Sequence, residues 1–452
     1  MKTPNTISVI ILLLIMAGCG GRSNQSADSS GTVDVIANYA ETEPTMQDTI
    51  EREENLLEAN DTILNQSFVK EIIRENHDDI ITVDVTKNYS SKKELILQDF
   101  MDVEYIALET NDDFLHQGVV MDIGKEIIVV KNRINDGDIF IYGRNGKALR
   151  KINHRGQGPG EYTGITTITL DEDNDEMFVN DINLRKIFVY NLDGLFKRSF
   201  NHQEGVGYTK IGTITVREHS FYSTIFNFNK NNLICYDKID HRRTFIIISK
   251  QDGSITKEIS IPFKDKISLN KEIIVDEKTM LSSGPGPYHT IIPYKGNWIL
   301  SEVSSDTIYT SMPDYSLRPF IERTPSVQSS DPVTALFLRL VTEQYIFMET
   351  FRNDYNFTTE TGLTYTWLMY DKQNKTFSDY VVYYSDFSIP TVVNIGGFIP
   401  INHEIAACYP LQAFRLVESY KKGELKDGRL KEIAVKLDPE DNPVIMIVKH
   451  KK

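Results

Sequence analysis

The stretch Arg155-Gly-Gln-Gly-Pro-Gly-Glu-Tyr162 lies between two copies of one sequence pattern. The copy before it reads IFIYGRNGKALRKI (residues 139–152), and the copy after it reads IFVYNLDGLFKRSF (residues 187–200). In both, an apolar run ends in Tyr, a turn ends in Gly, and a second run carries Arg shortly before its last apolar residue. Tyr142 and Tyr190 are 48 residues apart. A strand pattern repeated at such a period predicts the blades of a β-propeller.

Weaker copies of the pattern give the number of blades. The positions equivalent to Tyr142 and Tyr190 follow at steps of 59, 62 and 59 residues, at Ser249, Ser311 and Tyr370. Five marked blades and one closing unit make six. An open ring would leave unpaired strand edges at its two ends. We therefore expect segments from the two ends of the chain, 103–108 and 444–448, to pair and close the ring.

These patterns predict an all-β protein, a six-bladed β-propeller of four-stranded antiparallel blades spanning residues 80–452. Residues 80–85 are predicted to form a further strand near its start. A helical insertion is expected at about 410–438, because Leu430, Ile433, Ala434 and Leu437 follow the i, i+3, i+4, i+7 spacing of an amphipathic helix.

The first 18 residues have the features of a lipoprotein signal peptide. Lys2 precedes an apolar run over residues 7–16, and small residues stand directly before Cys19, which resembles the lipobox of bacterial lipoproteins. Cleavage before Cys19 and lipid on its sulfur would anchor the chain to a membrane. An ordinary secretory signal or an uncleaved anchor, with Cys19 incidental, are the alternatives.

Residues 19–79 are predicted to be a flexible tether. Gly, Ser, Asn, Asp and Thr dominate it as far as about residue 49. Apolar residues at loosely helical spacing over 50–76 are compatible with one or two short helices or with a disordered extension.

Composition excludes some partners. The net charge is −15 and the pI is about 5.2, with no basic block in the sequence, so nucleic acid is not an expected partner. Cys235 and Cys408 are far apart in sequence and are expected to be buried unpaired thiols rather than a disulfide. The 9 His residues show no zinc-ligand spacing. No metal site and no cofactor are predicted.

The chain resembles the six-bladed β-propeller lipoproteins of Bacteroidota, a group related to NHL-repeat propellers. The resemblance covers roughly residues 80–450 and rests on residues 155–162 between two blades, 103–110 at the entry and 441–449 at the end. It implies the fold and a location in the cell envelope, but no catalytic residues. Outer-surface lipoproteins of this phylum often carry acidic residues after the lipidated Cys. Residues 20–24 lack them, which slightly favours the periplasmic side over the outer surface.

The glycine-rich stretch is first a candidate anion site, because backbone N–H groups of such loops can cradle a phosphate. Pro159 removes one donor and no helix pattern follows, so we interpret the stretch as a joint between blades. Arg155, Gln157, Glu161 and Tyr162 are the candidate ligand-binding residues, projecting from this joint onto a rim of the ring. Residues 171–176 (DEDNDE) imitate half of a calcium loop but lack its Gly and its final Glu, so a solvated hairpin tip is predicted there.

Two classes of function stay open. The first is a binding module, held at the membrane by lipid on Cys19, that presents a propeller face to a glycan, a peptide or an envelope protein. The alternative is a lactonase-like hydrolase or lyase in the central channel, where related propellers use dispersed carboxylates to hold calcium. The fold cannot decide between them, because propellers serve both purposes.

Overall fold

The structure is a computed structural model that describes residues 80–451 except 134, 212–213, 241–242 and 277–278. The predicted signal peptide (1–18), the lipidated Cys19 and the predicted tether (19–79) lie outside the described residues.

One compact unit comprises residues 80–271 and 283–452, and residues 272–282 fall outside it. The large unit is a six-bladed β-propeller, which confirms the predicted fold class.

The chain enters the ring along its outside. The first elements are β1 (Ile81–Asp84), β2 (Lys92–Ile96), the single-turn helix α1 (Leu97–Phe100) and β3 (Met101–Ala107).

Blades one to three are four-stranded antiparallel sheets, each with its strands in sequence order from the channel outward. Blade one contains β4 (Val119–Ile123), β5 (Ile127–Lys131), β6 (Asp138–Gly143) and β7 (Ala148–Asn153). Blade two contains β8 (Thr167–Asp171), β9 (Glu176–Asp181), β10 (Lys186–Tyr190) and β11 (Phe196–Asn201). A hairpin that the sequence did not predict follows, β12 (Val206–Ile211) and β13 (Ile214–His219). Blade three contains β14 (Tyr222–Asn227), β15 (Asn232–Asp237), β16 (Phe245–Ser249) and β17 (Ile255–Ile259).

A second unpredicted hairpin, β18 (Lys271–Asp276) and β19 (Thr279–Ser283), forms a two-stranded sheet of its own. Blade four contains β20 (Ile291–Tyr294), β21 (Asn297–Leu300), β22 (Thr307–Ser311) and β23 (Leu317–Thr324). Blade five contains β24 (Thr334–Val341), β25 (Tyr345–Asn356), β26 (Thr361–Asp371) and β27 (Thr376–Tyr383). One-turn 3₁₀ helices occur at Glu172–Asn174, Val327–Ser329 and Ile395–Gly397.

The sixth, closing blade joins the two ends of the ring. It is built from β28 (Ile405–Leu411), β29 (Val444–His450) and β3, and the bridge between Ile399 and Cys408 adds an inner position. Strand β29 pairs with β3 in antiparallel register, from Val444 opposite Ala107 onward. The predicted closure by segments 103–108 and 444–448 is confirmed.

The two strands before β3 reinforce the preceding blades, a feature that the sequence did not predict. Strand β1 pairs in parallel with β23 as a fifth strand of blade four, and β2 pairs in parallel with β27 as a fifth strand of blade five. The segment 81–107 therefore crosses three successive blades, and we call it the strap.

The predicted helical insertion connects β28 to β29. It contains α2 (Ala413–Lys421) and α3 (Arg429–Ala434). Leu416, Leu430 and Ile433 pack in one hydrophobic cluster with Phe347 of blade five and Met446 of the closing blade. The helices therefore cover the junction between these two blades.

The turn glycines of the repeat serve contacts between blades. Gly146, Gly194 and Gly253 have φ angles of 82°, 89° and 74°, which favour glycine. A Cβ atom on any of them would also collide with the outer strand of the preceding blade, at Ala107, Ile152 and Phe200 respectively. The repeat therefore marks the point where each blade abuts its neighbour.

Cys235 and Cys408 are fully buried free thiols, as predicted, and burial raises the pKa of both. Within the described part of the chain, no helix has the length and apolar character needed to cross a membrane.

Replacing Gly146 by Ala tests the contact between blade one and the strap. The new methyl group would overlap the carbonyl oxygen of Ala107, in the strand that closes the ring. Gly296→Ala is the matched control, because Gly296 has a similar φ of 80° but no atom within 4 Å of the place that a methyl group would occupy. We expect Gly146→Ala to lower the free energy of unfolding by about 1–3 kcal/mol more than the control does. Equal losses in urea denaturation would contradict the contact.

Candidate functional site

The alternation of strand direction sorts the loops onto two faces of the ring. Turns between the first and second strands of the blades, such as 124–126 and 172–175, lie on one face, which we call the cavity face. Loops from the second to the third strand, and crossovers to the next blade such as 154–166, lie on the other, which we call the crossover face.

A cavity of about 600 Å³ opens on the cavity face at the centre of the ring. Five of the six blades contribute to its wall. Representative lining residues are Asp122, Glu172, Asn227, Trp298, His403 and Glu404. The volume falls within the range of about 300–1,000 Å³ typical of small-molecule sites.

Polar side chains join neighbouring blades along this wall. The backbone N–H of Leu170 in blade two donates to Oδ2 of Asp122 in blade one, at 2.8 Å. The Nδ2 of Asn227 in blade three donates to the Leu170 carbonyl at 3.0 Å. The Nδ2 of Asn402 in the closing blade donates to the Ile123 carbonyl at 3.0 Å. These bonds satisfy backbone groups at the inner edge of the blades, where no further strand can pair.

Asp122 is the most perturbed carboxyl group of the wall. Burial raises its pKa to about 7, and the negative charge of Glu172 acts in the same direction. Hydrogen bonds from the backbone of Leu170 and Ile123 oppose the shift but do not cancel it. Asp122 therefore changes charge near neutral pH, which is common for carboxyl groups at functional sites.

Glu172 fastens blade two to the first turn of blade one. Its carboxylate accepts the backbone N–H groups of Lys125, Glu126 and Ile127, at 2.5, 3.0 and 3.0 Å. The side chain fills the space beside Gly124, where a Cβ atom would collide with it. A carboxylate with three backbone donors is held rigidly in one position.

The acidic run 171–176 differs from the predicted solvated hairpin tip. It does form the first turn of blade two, but two of its carboxylates are buried. Asp171 pairs with Lys250 of blade three at 2.5 Å, with both side chains about 5% exposed. Glu176 receives two hydrogen bonds from Arg198, at 2.6 and 2.7 Å. The prediction of full solvation failed because the partners lie far away in the sequence.

An aromatic wall occupies one side of the cavity. The rings of Trp298 and His403 meet edge to face, with centroids 4.7 Å apart, and Phe226 lies 5.8 Å from Trp298. Burial lowers the pKa of His403, so its ring is neutral at physiological pH. Its Nδ1 atom is buried and has no hydrogen-bond partner among the described residues.

Charged side chains at the mouth are partly paired with one another. Glu104 lies 2.6 Å from Lys449 and 3.5 Å from Arg144. Lys125 and Asp173 form an exposed pair at 2.8 Å. In the described residues, no group of three or more His, Cys, Asp or Glu side chains is arranged to hold a metal ion.

The residues singled out from the sequence lie on the crossover face, away from this cavity. Arg155 and Gln157 are exposed, and Glu161 turns back to accept the N–H of Gly158 at 2.8 Å. Tyr162 is fully buried, and its hydroxyl donates to the Gly137 carbonyl at 2.6 Å. The stretch 155–162 connects β7 to β8. Ligand binding by Arg155, Gln157, Glu161 and Tyr162 stays a prediction, although the Tyr162 side chain is engaged in the core.

Sequence reasoning missed the cavity residues. One signal was available, because Asp122 and Asp171 stand near the ends of the first strands in the two clearest repeats. Trp298, His403 and Glu404 belong to blades whose sequences depart from the repeat, and nothing in the sequence places them together.

A family model matches residues 80–449. The chain belongs to this family, described as Domain of unknown function (DUF4934). A comparison with curated proteins finds no significant match.

Several solved structures resemble this chain at low sequence identity. A putative exported protein from Bacteroides fragilis NCTC 9343 matches with a TM-score of 0.51 and 15% identity, over 82% of this chain and 100% of that one. A member of the DUF4221 family from Bacteroides vulgatus matches with a TM-score of 0.42 and 11% identity, over 78% and 100%. Virginiamycin B lyase from Staphylococcus aureus matches with a TM-score of 0.34 and 12% identity, over 78% and 100%. At these identities the first match supports the propeller architecture alone.

The Glu172 contact yields a prediction about stability. Glu172→Ala leaves three backbone N–H groups without their acceptor and should lower the free energy of unfolding by about 1–3 kcal/mol. The neighbouring Asp173→Ala removes only an exposed ion pair and should change stability little. Urea denaturation of both variants checks this. Similar midpoints for the two would show that Glu172 does not fasten the blades.

Proposed function

We propose that this protein is a lipid-anchored propeller of the cell envelope that binds a ligand in the cavity at the centre of its cavity face. The observation that carries this proposal is the cavity itself. Side chains from five blades meet around about 600 Å³ of space, with an aromatic wall on one side and carboxylates on the other. Pockets that combine apolar walls with a few placed polar groups are typical of ligand sites.

The sequence before residue 80 supports the envelope location. Lys2, the apolar run 7–16 and Cys19 with small residues before it support a lipid anchor. The Bacteroides fragilis neighbour is described as a putative exported protein, which agrees with this direction. The absence of acidic residues directly after Cys19 favours the periplasmic side of the envelope. We also propose that this propeller is related to the NHL-repeat propellers.

The ligand is proposed to be a glycan, a peptide or a segment of an envelope protein. We place binding before the alternative of a hydrolase or lyase because the acidic residues of the blade-two turn already have partners. Asp171 binds Lys250, Glu172 binds three backbone N–H groups, and Asp173 binds Lys125. Calcium-dependent lactonase chemistry would also need several carboxylates to converge on one ion, and among the described residues no group of three or more His, Cys, Asp or Glu side chains is arranged in that way.

Blocking the cavity tests the proposal. Ligands found by screening the purified protein on glycan and peptide arrays should lose binding in Glu404→Trp, which adds bulk at the cavity mouth. Gln157→Trp places the same bulk on the crossover face and is the matched control. Binding that survives Glu404→Trp and is lost in Gln157→Trp would instead favour the site predicted from the sequence.

The lipid anchor has its own test. Cells that produce the protein are grown with a clickable palmitate analogue, and the label on the chain is measured after gel separation. We expect label on the wild type and none on Cys19→Ala, because the sulfur of Cys19 is the proposed attachment point. Label retained on Cys19→Ala would overturn the lipoprotein assignment.

A further inference from the structure

The charges around the central cavity do not balance. Glu104, Asp171 and Asp173 are ion-paired with lysines or arginines. Three further carboxylates of the lining, those of Asp122, Glu172 and Glu404, have no ion-pair partner in the part of the chain that the structure describes. The cavity therefore keeps a negative field, within a chain whose net charge is −15.

The aromatic wall is a second, independent reason to expect the cavity to prefer cations. Trp298, His403 and Phe226 present uncharged rings to the same space, and the face of an aromatic ring attracts a cation.

We propose that the cavity binds an organic cation, an alkylammonium or guanidinium group of the kind carried by Lys and Arg side chains. This inference rests on the proposed function, since it names the ligand chemistry of the same site. Carboxylates provide the counter-charge, and the rings provide a surface for the aliphatic stem and the cationic head.

Glu404 and Asp122 have different roles in this arrangement. Glu404 is exposed at the mouth, where its charge attracts an approaching cation. Asp122 is partly buried and held by the N–H of Leu170, so it presents a fixed carboxylate. Glu172 is held by three backbone donors and contributes its charge without moving.

The chain offers a convenient reporter, because it contains only 2 Trp residues. Trp298 lies in the cavity wall and Trp367 is 46% exposed on β26. In a Trp367→Phe background, a change in tryptophan fluorescence reports on the cavity alone. Calorimetry on the same protein measures binding whether or not the fluorescence changes.

The probes separate charge from shape. Nα-acetyl-lysine methylamide and Nα-acetyl-arginine methylamide carry the cation, and Nα-acetyl-norleucine methylamide is the uncharged analogue. The peptide Gly-Gly-Lys-Gly-Gly tells whether a lysine within a peptide binds better than the isolated side chain. Titrations are made at about pH 8, where Asp122, with its pKa of about 7, is ionised.

We expect the two cationic probes to bind and to perturb Trp298, and the norleucine probe to bind at least about tenfold more weakly. Glu404→Gln should weaken the cationic probes by several-fold, and Asp122→Asn by about tenfold. Glu360→Gln removes an exposed carboxylate on the distant hairpin of blade five and should leave binding unchanged. Glu404→Gln keeps the inference testable if Asp122→Asn proves unstable, because Glu404 is exposed.

Three outcomes contradict the inference in distinguishable ways. Equal binding of the norleucine and lysine probes would show that the cavity binds ligands without selecting cations. A second outcome is that none of the probes binds, while Glu404→Trp still blocks the ligands found on the arrays. This result would contradict the inference that the cavity selects cations but would leave the proposed function in place. If the binding of every ligand is unaffected by changes in the cavity, both the cation inference and the proposed function are wrong.

Discussion

The pairing of β3 with β29 is the interaction on which the rest of the structure depends. It joins residues from opposite ends of the ring through a continuous antiparallel register. Without it, the first and last blades would end in open strand edges, and the cavity face would lose part of its wall. Lys449 and Glu104, which lie on these two strands, also line the cavity. The strands that close the ring therefore also supply part of the cavity wall.

Contacts between blades are of two kinds, one on the outside of the ring and one on the inside. On the outside, turn glycines allow a blade to press against the outer strand before it, as Gly194 does at Ile152. On the inside, side chains such as Asp122 and Asn227 form hydrogen bonds with backbone groups on the inner strand of a neighbouring blade. The outer contacts require glycine, because a side chain at these positions would collide with the neighbouring blade. The inner contacts require a specific polar side chain. Both hold the blades in fixed positions around the channel.

The architecture could be predicted because its signals are local. The turn glycines and the aromatic strand ends of blades one and two repeat within one short window, and the closing segments are visibly β-like. The strap could not be predicted in the same way, because β1 and β2 pair with strands more than two hundred residues away. The cavity could not be predicted from the sequence for the same reason, because its residues come from distant parts of the chain. Asp171 looks solvated in sequence, and only the fold brings Lys250 to it.

The strap also determines the order in which strand pairs would separate under a pulling force. Tension on the chain before Ile81 reaches the β1–β23 ladder first, then β2–β27, and only afterwards the closing strand β3. Two parallel ladders in series thus stand between a pull at this end and the joint that holds the ring shut. Either can peel away as a fifth strand while its blade keeps four. With the anchor that we propose at Cys19, this arrangement would let the outer strands yield under load before the cavity is disturbed.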